Sequence, residues 1–324
     1  MRGIGRGLAA RTGSDQHGAA AIVVALSMTV LMGSAAIVLD AGDIWQQRRQ
    51  LVGAVDAAAL AAAADFAVDV DGCATTADSY VEANAPDVGS TDCVSTGIGS
   101  AGQVTVTAEV TVQHAIAQIL GKESTLVDAT TTAQWGPATS LTGLRPFALC
   151  EGAPAFQSWV ASGFSTDQTF RIEYTKEQAD ACGGPAPGNW GLLDFDGGSN
   201  SNQDTKEWVE YGYPGEVDAP DWIDGDTGAF SQSLPISAVL NKVIHVPVFD
   251  DYNGAGGSNA DFHVVGFVSL KIVDYKANGS ESSRYLDVVF QTTVAAGKCC
   301  NGSTVDGGTR AVGLCAVENE GTCG

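Results

Sequence analysis

The chain has 324 residues, 40 of them glycine, with 17% charged residues and a formal net charge of −22. So acidic a surface repels phosphate and excludes nucleic acid as a partner. The length allows a membrane segment plus one or two folded units, and the glycine content points to loop-rich, β-leaning structure rather than a helical bundle.

Residues 1–17 form a polar tail carrying Arg2, Arg6 and Arg11. The stretch Ala19–Leu39, AAAIVVALSMTVLMGSAAIVL, then holds no charged residue. As a helix it would reach about 31 Å, the thickness of a bilayer's hydrocarbon core. A cleaved signal has an apolar core of only about 7–15 residues, so a retained single-pass anchor is expected. Arginines before the run, with Asp40 and Asp43 ahead of Arg48 and Arg49 after it, place the N-terminus in the cytoplasm and the bulk of the chain outside the cell membrane. Ala21, Ala25, Thr29 and Gly33 recur on one helix face, where small residues let another helix approach. Alanine's abundance in the run explains the same pattern without a partner.

No proline interrupts the sequence from Asp40 to Phe66. Ile44, Leu51, Val55, Ala58, Ala59, Ala62 and Phe66 keep to one side, giving an amphipathic helix suited to packing on its own domain, with a partner helix as the alternative. Trp45 falls just past the apolar run, at the lipid–water boundary. Next come a short helix at Thr76–Asn84, an alternating strand at Gln103–Gln113, a short helix at His114–Leu120 closed by Gly121, and a second strand at Thr125–Trp135. Gly136–Arg145 reads as a linker. Beyond it, helices are expected at Phe156–Ser162 and Gln203–Tyr211. Strands are expected at Thr169–Tyr174, Val243–Phe249, Asp261–Val273 and Tyr285–Val294. Loops rich in Gly and Asp separate them, and a cysteine-rich tail closes the chain.

The eight cysteines, Cys73, Cys93, Cys150, Cys182, Cys299, Cys300, Cys315 and Cys323, all follow the apolar run, as disulfides of an oxidising compartment would. Proximity favours Cys73–Cys93, Cys150–Cys182 and two bridges among the last four, although the sequence leaves connectivity open. The absence of C-x-x-C, and of a histidine near any cysteine pair, argues against zinc. Vicinal Cys299–Cys300 fits structural stapling better than a redox pair.

The chain lacks G-x-S-x-G, Walker A, a post-strand G-x-G-x-x-G and H-E-x-x-H, so no enzyme activity and no cofactor are expected. Asp194-Phe-Asp196-Gly-Gly, Asp224-Gly-Asp226 and Asp250-Asp251 are fragments of a calcium pattern, but Gly198 and Thr205 stand where an EF-hand needs ligands. Asp and Asn beside glycine more often close turns through their own side chains. His245 and His263 lie on two expected strands and could face one another near Asp250 or Asp261, although ordinary strand histidines are the simpler reading.

The order QHGAAAIVVAL…IVLDAGDIWQQRRQLVGAVDAAALAAA resembles the N-terminal region of the TadE/TadG-like proteins of Flp (tight adherence) pilus assembly. The matching residues are Gly18, Asp40, Gly42, Trp45, Arg48, Arg49, Gln50, Leu51, Asp56 and Ala57–Ala59. The resemblance implies a membrane-anchored, non-enzymatic partner of other pilus-assembly or pilin-like membrane proteins. It departs from prepilins, whose mature chains carry Glu at the fifth residue, where this sequence has Val23 if Gly18 is the cleavage glycine. It also lacks the D-x-S-x-S of von Willebrand A domains. GNWGLLDFDGG, HVPVFDD and VVGFVSLKI are similar to outer portions of actinobacterial members.

The expected fold is therefore α+β. A long pilin-like transmembrane and amphipathic helix (18–66) follows the tail (1–17). An α+β unit (67–136), a β-rich domain (137–298) and a Cys-rich tail (299–324) complete a disulfide-stapled ectodomain. An adhesin-like or glycan-binding module is the alternative, with Trp190, Trp208, Tyr211, Tyr213 and Trp222 stacking on sugars.

Overall fold

The computed structural model describes residues 17–173, 192–197, 202–226, 234–254, 260–278, 283–300 and 304–315. Its axis is α1 (His17–Ala67), 51 residues without a break. From Gly18 to Leu39, α1 is exposed wherever its side chains are described, and the helix is long and apolar enough to cross a membrane. From Leu51 the character changes. Leu51, Ala54, Val55, Ala58, Ala59, Ala62, Ala63 and Phe66 are all buried.

What buries them is a sheet in the order β1–β2–β3–β15–β12. These strands are β1 (Val88–Ser95), β2 (Gly102–Gln113), β3 (Ser124–Leu141), β12 (Thr293–Val294) and β15 (Thr309–Leu314). The alternation of β2 turns Val104, Val106, Val110 and Val112 onto α1, as expected of a half-buried strand. Alanine faces on α1 let helix and sheet approach closely, and Phe66 closes the far end by stacking on Trp135 with ring centroids 5.3 Å apart. The helix α2 (Cys73–Asn84) packs on α1 beside β1, held by the Cys73–Cys93 disulfide.

The second core belongs to a sheet ordered β4–β9–β10–β11–β5. Its strands are β4 (Leu149–Cys150), β5 (Phe170–Glu173), β9 (Val243–Gly254), β10 (Ala260–Lys276) and β11 (Tyr285–Gln291). On β10 it also carries β14 (Val305–Gly307) and β8 (Asp221–Gly225), which in turn pairs β6 (Leu193–Asp194). The helices α3 (Pro154–Ala161) and α4 (Asn202–Tyr211) accompany it. Trp159 stacks on Phe290 at 4.8 Å within this core.

Three expectations are corrected. Residues 136–141 are not a linker, because β3 runs through them. Gly136 and Pro137 stand where β3 leaves β2, whose last partner is Trp135, and gains β13 (Gly297–Cys299) from Ala138 and β7 (Val217–Asp218) from Ser140. A residue without an N–H costs little at that handover. The divisions at 136/137 and 298/299 both fall inside paired strands, β3 and β13. Nor is the C-terminal stretch a mere tail, since β14 pairs β10 and β15 lies against β3. Smaller differences are β1, which the Gly-, Asp- and Ser-rich stretch after Asp69 concealed, and β9, which continues to Gly254.

Arg310 joins the two halves. It is 1% exposed, and its guanidinium donates to the Ala67 carbonyl at the end of α1. It lies 3.3 Å from Asp306 and 3.7 Å from Asp69, and 5.5 Å over the Phe164 ring. A cation at a helix C-terminus meets the negative end of the macrodipole.

Candidate functional site

The candidate site is α1 where its exposed apolar run meets the folded part. Asp40 ends the uncharged run and is only 8% exposed. Its Oδ1 accepts from Ala115 N at 2.9 Å and its Oδ2 from Ala117 N at 2.7 Å, with Ile116 N 3.3 Å from both oxygens. Those amides open the 3₁₀ turn Ala117–Leu120 in the β2–β3 connection. The Ala117 N–H contributes most to holding the Asp40 carboxyl below its usual range, and burial opposes it. Gly121 closes the turn in the left-handed region at φ 85°, as a C-cap glycine does. Buried His114 bonds Thr125 Oγ1 at 2.8 Å on the same shoulder.

The remaining motif residues divide by face. Asp56 accepts from Thr131 Oγ1 at 2.6 Å, fixing α1 to β3. Trp45 is 62% exposed, with the Arg49 guanidinium 4.8 Å over its ring, and Arg48 is exposed beside them. Gly42 has no atom within 4 Å of where a Cβ would stand, so the chain itself gives no steric reason for a glycine there. Ala21, Ala25, Thr29 and Gly33 are all exposed. Thr29 Oγ1 donates back to the Ala25 carbonyl at 2.9 Å, and Gly33 has open space around it. Sequence reading placed Gln50 in the motif without its role, donating to Asn84 O at 2.9 Å, and missed Asp65, which accepts from Thr76 Oγ1 at 2.6 Å. Asp65 flanks the buried stripe, the one signal that marked it.

Cys73–Cys93 is bonded as expected, and Cys299 bonds Cys300. Cys150 and Cys315 are disulfide-bonded too, whereas Cys182 and Cys323 lie outside the described residues.

The candidates in the β-rich part disperse. His245 stands opposite Ser269 and His263 opposite Asp251, six residues apart on β10, or about 20 Å, so the two rings do not meet. His263 Nδ1 pairs Asp250 at 2.6 Å and His245 Nδ1 meets Ser269 Oγ at 2.8 Å. Among the described residues no three His, Cys, Asp or Glu side chains are grouped to hold a metal. A groove of about 230 Å³ is lined by Asp194, Glu216, Asp218, Asp221, Trp222 and Asp224, and three of its acids have other work. Glu216 binds Lys298 and Ser140, Asp221 caps the Trp222 amide, and Asp194 accepts from the Asp196 and Gly197 amides. Burial, then a hydrogen bond with Asp196, pushes Asp194 up to about 6. Trp208 and Tyr213 pack with Phe195 as core. Tyr211 and Trp222 are exposed, and Trp190 lies outside the described residues.

Among the described residues, the arrangement is a long helix, α1, exposed toward one end and built into a folded β-rich body at the other. Residues 18–65, the greater part of that helix, match the family model for putative Flp pilus-assembly TadE/G-like proteins. The match covers α1 and leaves both sheets outside it. No curated protein and no solved structure matches the chain.

Proposed function

We propose that this chain is a single-pass, non-enzymatic component of Flp/Tad-type pilus assembly or surface display. The N-terminus is cytoplasmic, Ala19–Leu39 spans the cell membrane, and the sheets stand outside as an ectodomain. The observation that carries the reading is the family match on a helix whose uncharged run is exposed among the described residues while its other half forms the core of a domain. The arginine-rich tail and the disulfides support the orientation, because thiols oxidise outside the cytoplasm. The mechanism is association, with Ala21, Ala25, Thr29 and Gly33 as the face for a neighbouring membrane helix of the assembly apparatus. The absence of hydrolase, nucleotide and metalloprotease motifs supports the non-enzymatic reading.

Deleting the gene from its host and counting surface pili by electron microscopy tests the reading. Pilus number should fall, and wild-type chain should restore it better than a Gly33→Leu chain. Unchanged piliation on deletion overturns the proposal. A second reading, glycan binding, is favoured by Trp222, 45% exposed over the carboxylate-lined groove. Trp222→Ala abolishing glycan retention with unchanged melting would support it, since this ring is not core.

A further inference from the structure

We infer that the β2–β3 connection, residues 114–123, is a second membrane contact, resting in the lipid headgroup layer beside the emerging helix. The inference builds on the proposed span.

Two rulers place the connection. α1 and β3 run side by side with three ties: Phe66 on Trp135, Asp56 on Thr131, and Asp40 on the amides of Ala115–Ala117. From Phe66 back to Asp40 the helix measures about 39 Å. From Trp135 back to Ser124 the strand measures about 37 Å. The strands therefore lie along the helix, and their connecting tip comes level with the residue at which the apolar run stops. Asp40 fixes that level, since its carboxylate grips the tip through three backbone N–H groups.

The chemistry of this zone suits lipid. The tip reads A-I-A-Q-I-L-G-K from Ala115 to Lys122. Ala115, Gln118 and Lys122 are exposed, and Leu126 next to the tip is 59% exposed. Trp45 stands about 7.5 Å beyond Asp40 along the helix, close to the depth of a headgroup layer. Arg48 and Arg49 lie about 12–14 Å beyond it, but helical side chains lean toward the N-terminus. Arg49 does so here, lying back over the ring of Trp45. Arg48, Arg49 and Lys122 offset Asp40, Asp43 and Glu123 in a chain of net charge −22, while Asp87, Glu109 and Asp128 stand level with Arg48 on the folded body. With the two arginines leaning toward the bilayer, the layer nearest the apolar run carries as many cations as carboxylates. The ectodomain then stands on the bilayer at two points rather than swinging from one.

The test uses the full chain in phosphatidylcholine vesicles with acyl-chain-brominated lipid as quencher. A fluorescent residue replaces Gln118, Leu31 or Tyr211 in turn. Quenching at both Leu31 and Gln118, with none at Tyr211, is the expected result. Quenching at Leu31 with Gln118 as dark to bromine as Tyr211 overturns the second contact and leaves the span standing. No quenching at Leu31 overturns the span and this inference with it. Reversing the three cations (Arg48→Glu, Arg49→Glu, Lys122→Glu) makes the zone acidic. That variant should lose quenching at Gln118 when phosphatidylglycerol is added, keep it in pure phosphatidylcholine, and keep the Leu31 signal in both. Unchanged quenching at Gln118 with phosphatidylglycerol refutes the headgroup role of these side chains.

Discussion

Replacing Arg310 by Met keeps much of the stem's volume and removes the guanidinium that joins the two cores. The hydrogen bond from a charged donor to the Ala67 carbonyl contributes about 1.5–3 kcal/mol. The favourable placement at the end of α1 adds about 0.3–1 kcal/mol. Asp69 is 58% exposed, so its ion pair adds little, whereas Asp306, 19% exposed, loses a partner it cannot fully replace with water. Relief of the guanidinium's own desolvation offsets part of the loss. The net expectation is a destabilisation of about 3 kcal/mol, which for a body of this size lowers the melting temperature by roughly 6–12 °C. Calorimetry of the full chain in detergent micelles measures it, with Asp69→Asn as control. If Arg310→Met melts with the wild type, or Asp69→Asn costs as much as Arg310→Met, the clasp does not hold the halves together.

Replacing Cys73 and Cys93 together by Ser opens a loop with a sequence separation of 20 and should cost about 3 kcal/mol, read as a shifted denaturant midpoint. Asp40→Ala should expose the amides of Ala115–Ala117 to faster hydrogen exchange while leaving those of β9 and β10 unchanged. Because the folded pKa of Asp40 lies below the usual carboxylate value, its stabilisation is complete above about pH 4 and is lost as pH falls through that lower pKa. Asp194 behaves oppositely: with its folded pKa raised to about 6, stability declines as pH rises from about 4 to 6, and Asp194→Asn should flatten that part of the pH–stability curve.

The elements visible in the sequence were those whose partners share one local pattern. The stripe from Leu51 to Phe66 and the alternation of β2 each encode a buried face without reference to the rest of the chain, and both faces meet each other. Gly121 signalled its turn because only a left-handed residue closes it. The end of β3, β1 and β15 were hidden for the converse reason. Gly136–Pro137 carries strong breaking signals that distant strands override, and β1 depends on a disulfide and on α2. At the site, the motif marked Asp40 but not its role, because its partners are backbone amides 75–77 residues away that any side chain could supply.

The position of β15 has a consequence for biogenesis. This strand completes the sheet that carries the helix, yet it is synthesised long after the helix and β3. Until it arrives, β3 shows an open edge between Ala133 and Pro137, and the end of α1 lacks its cation. Synthesis thus delivers an unfinished body first, and a product truncated before Thr309 would leave a pairing-competent edge for quality-control proteases or a stray strand to find.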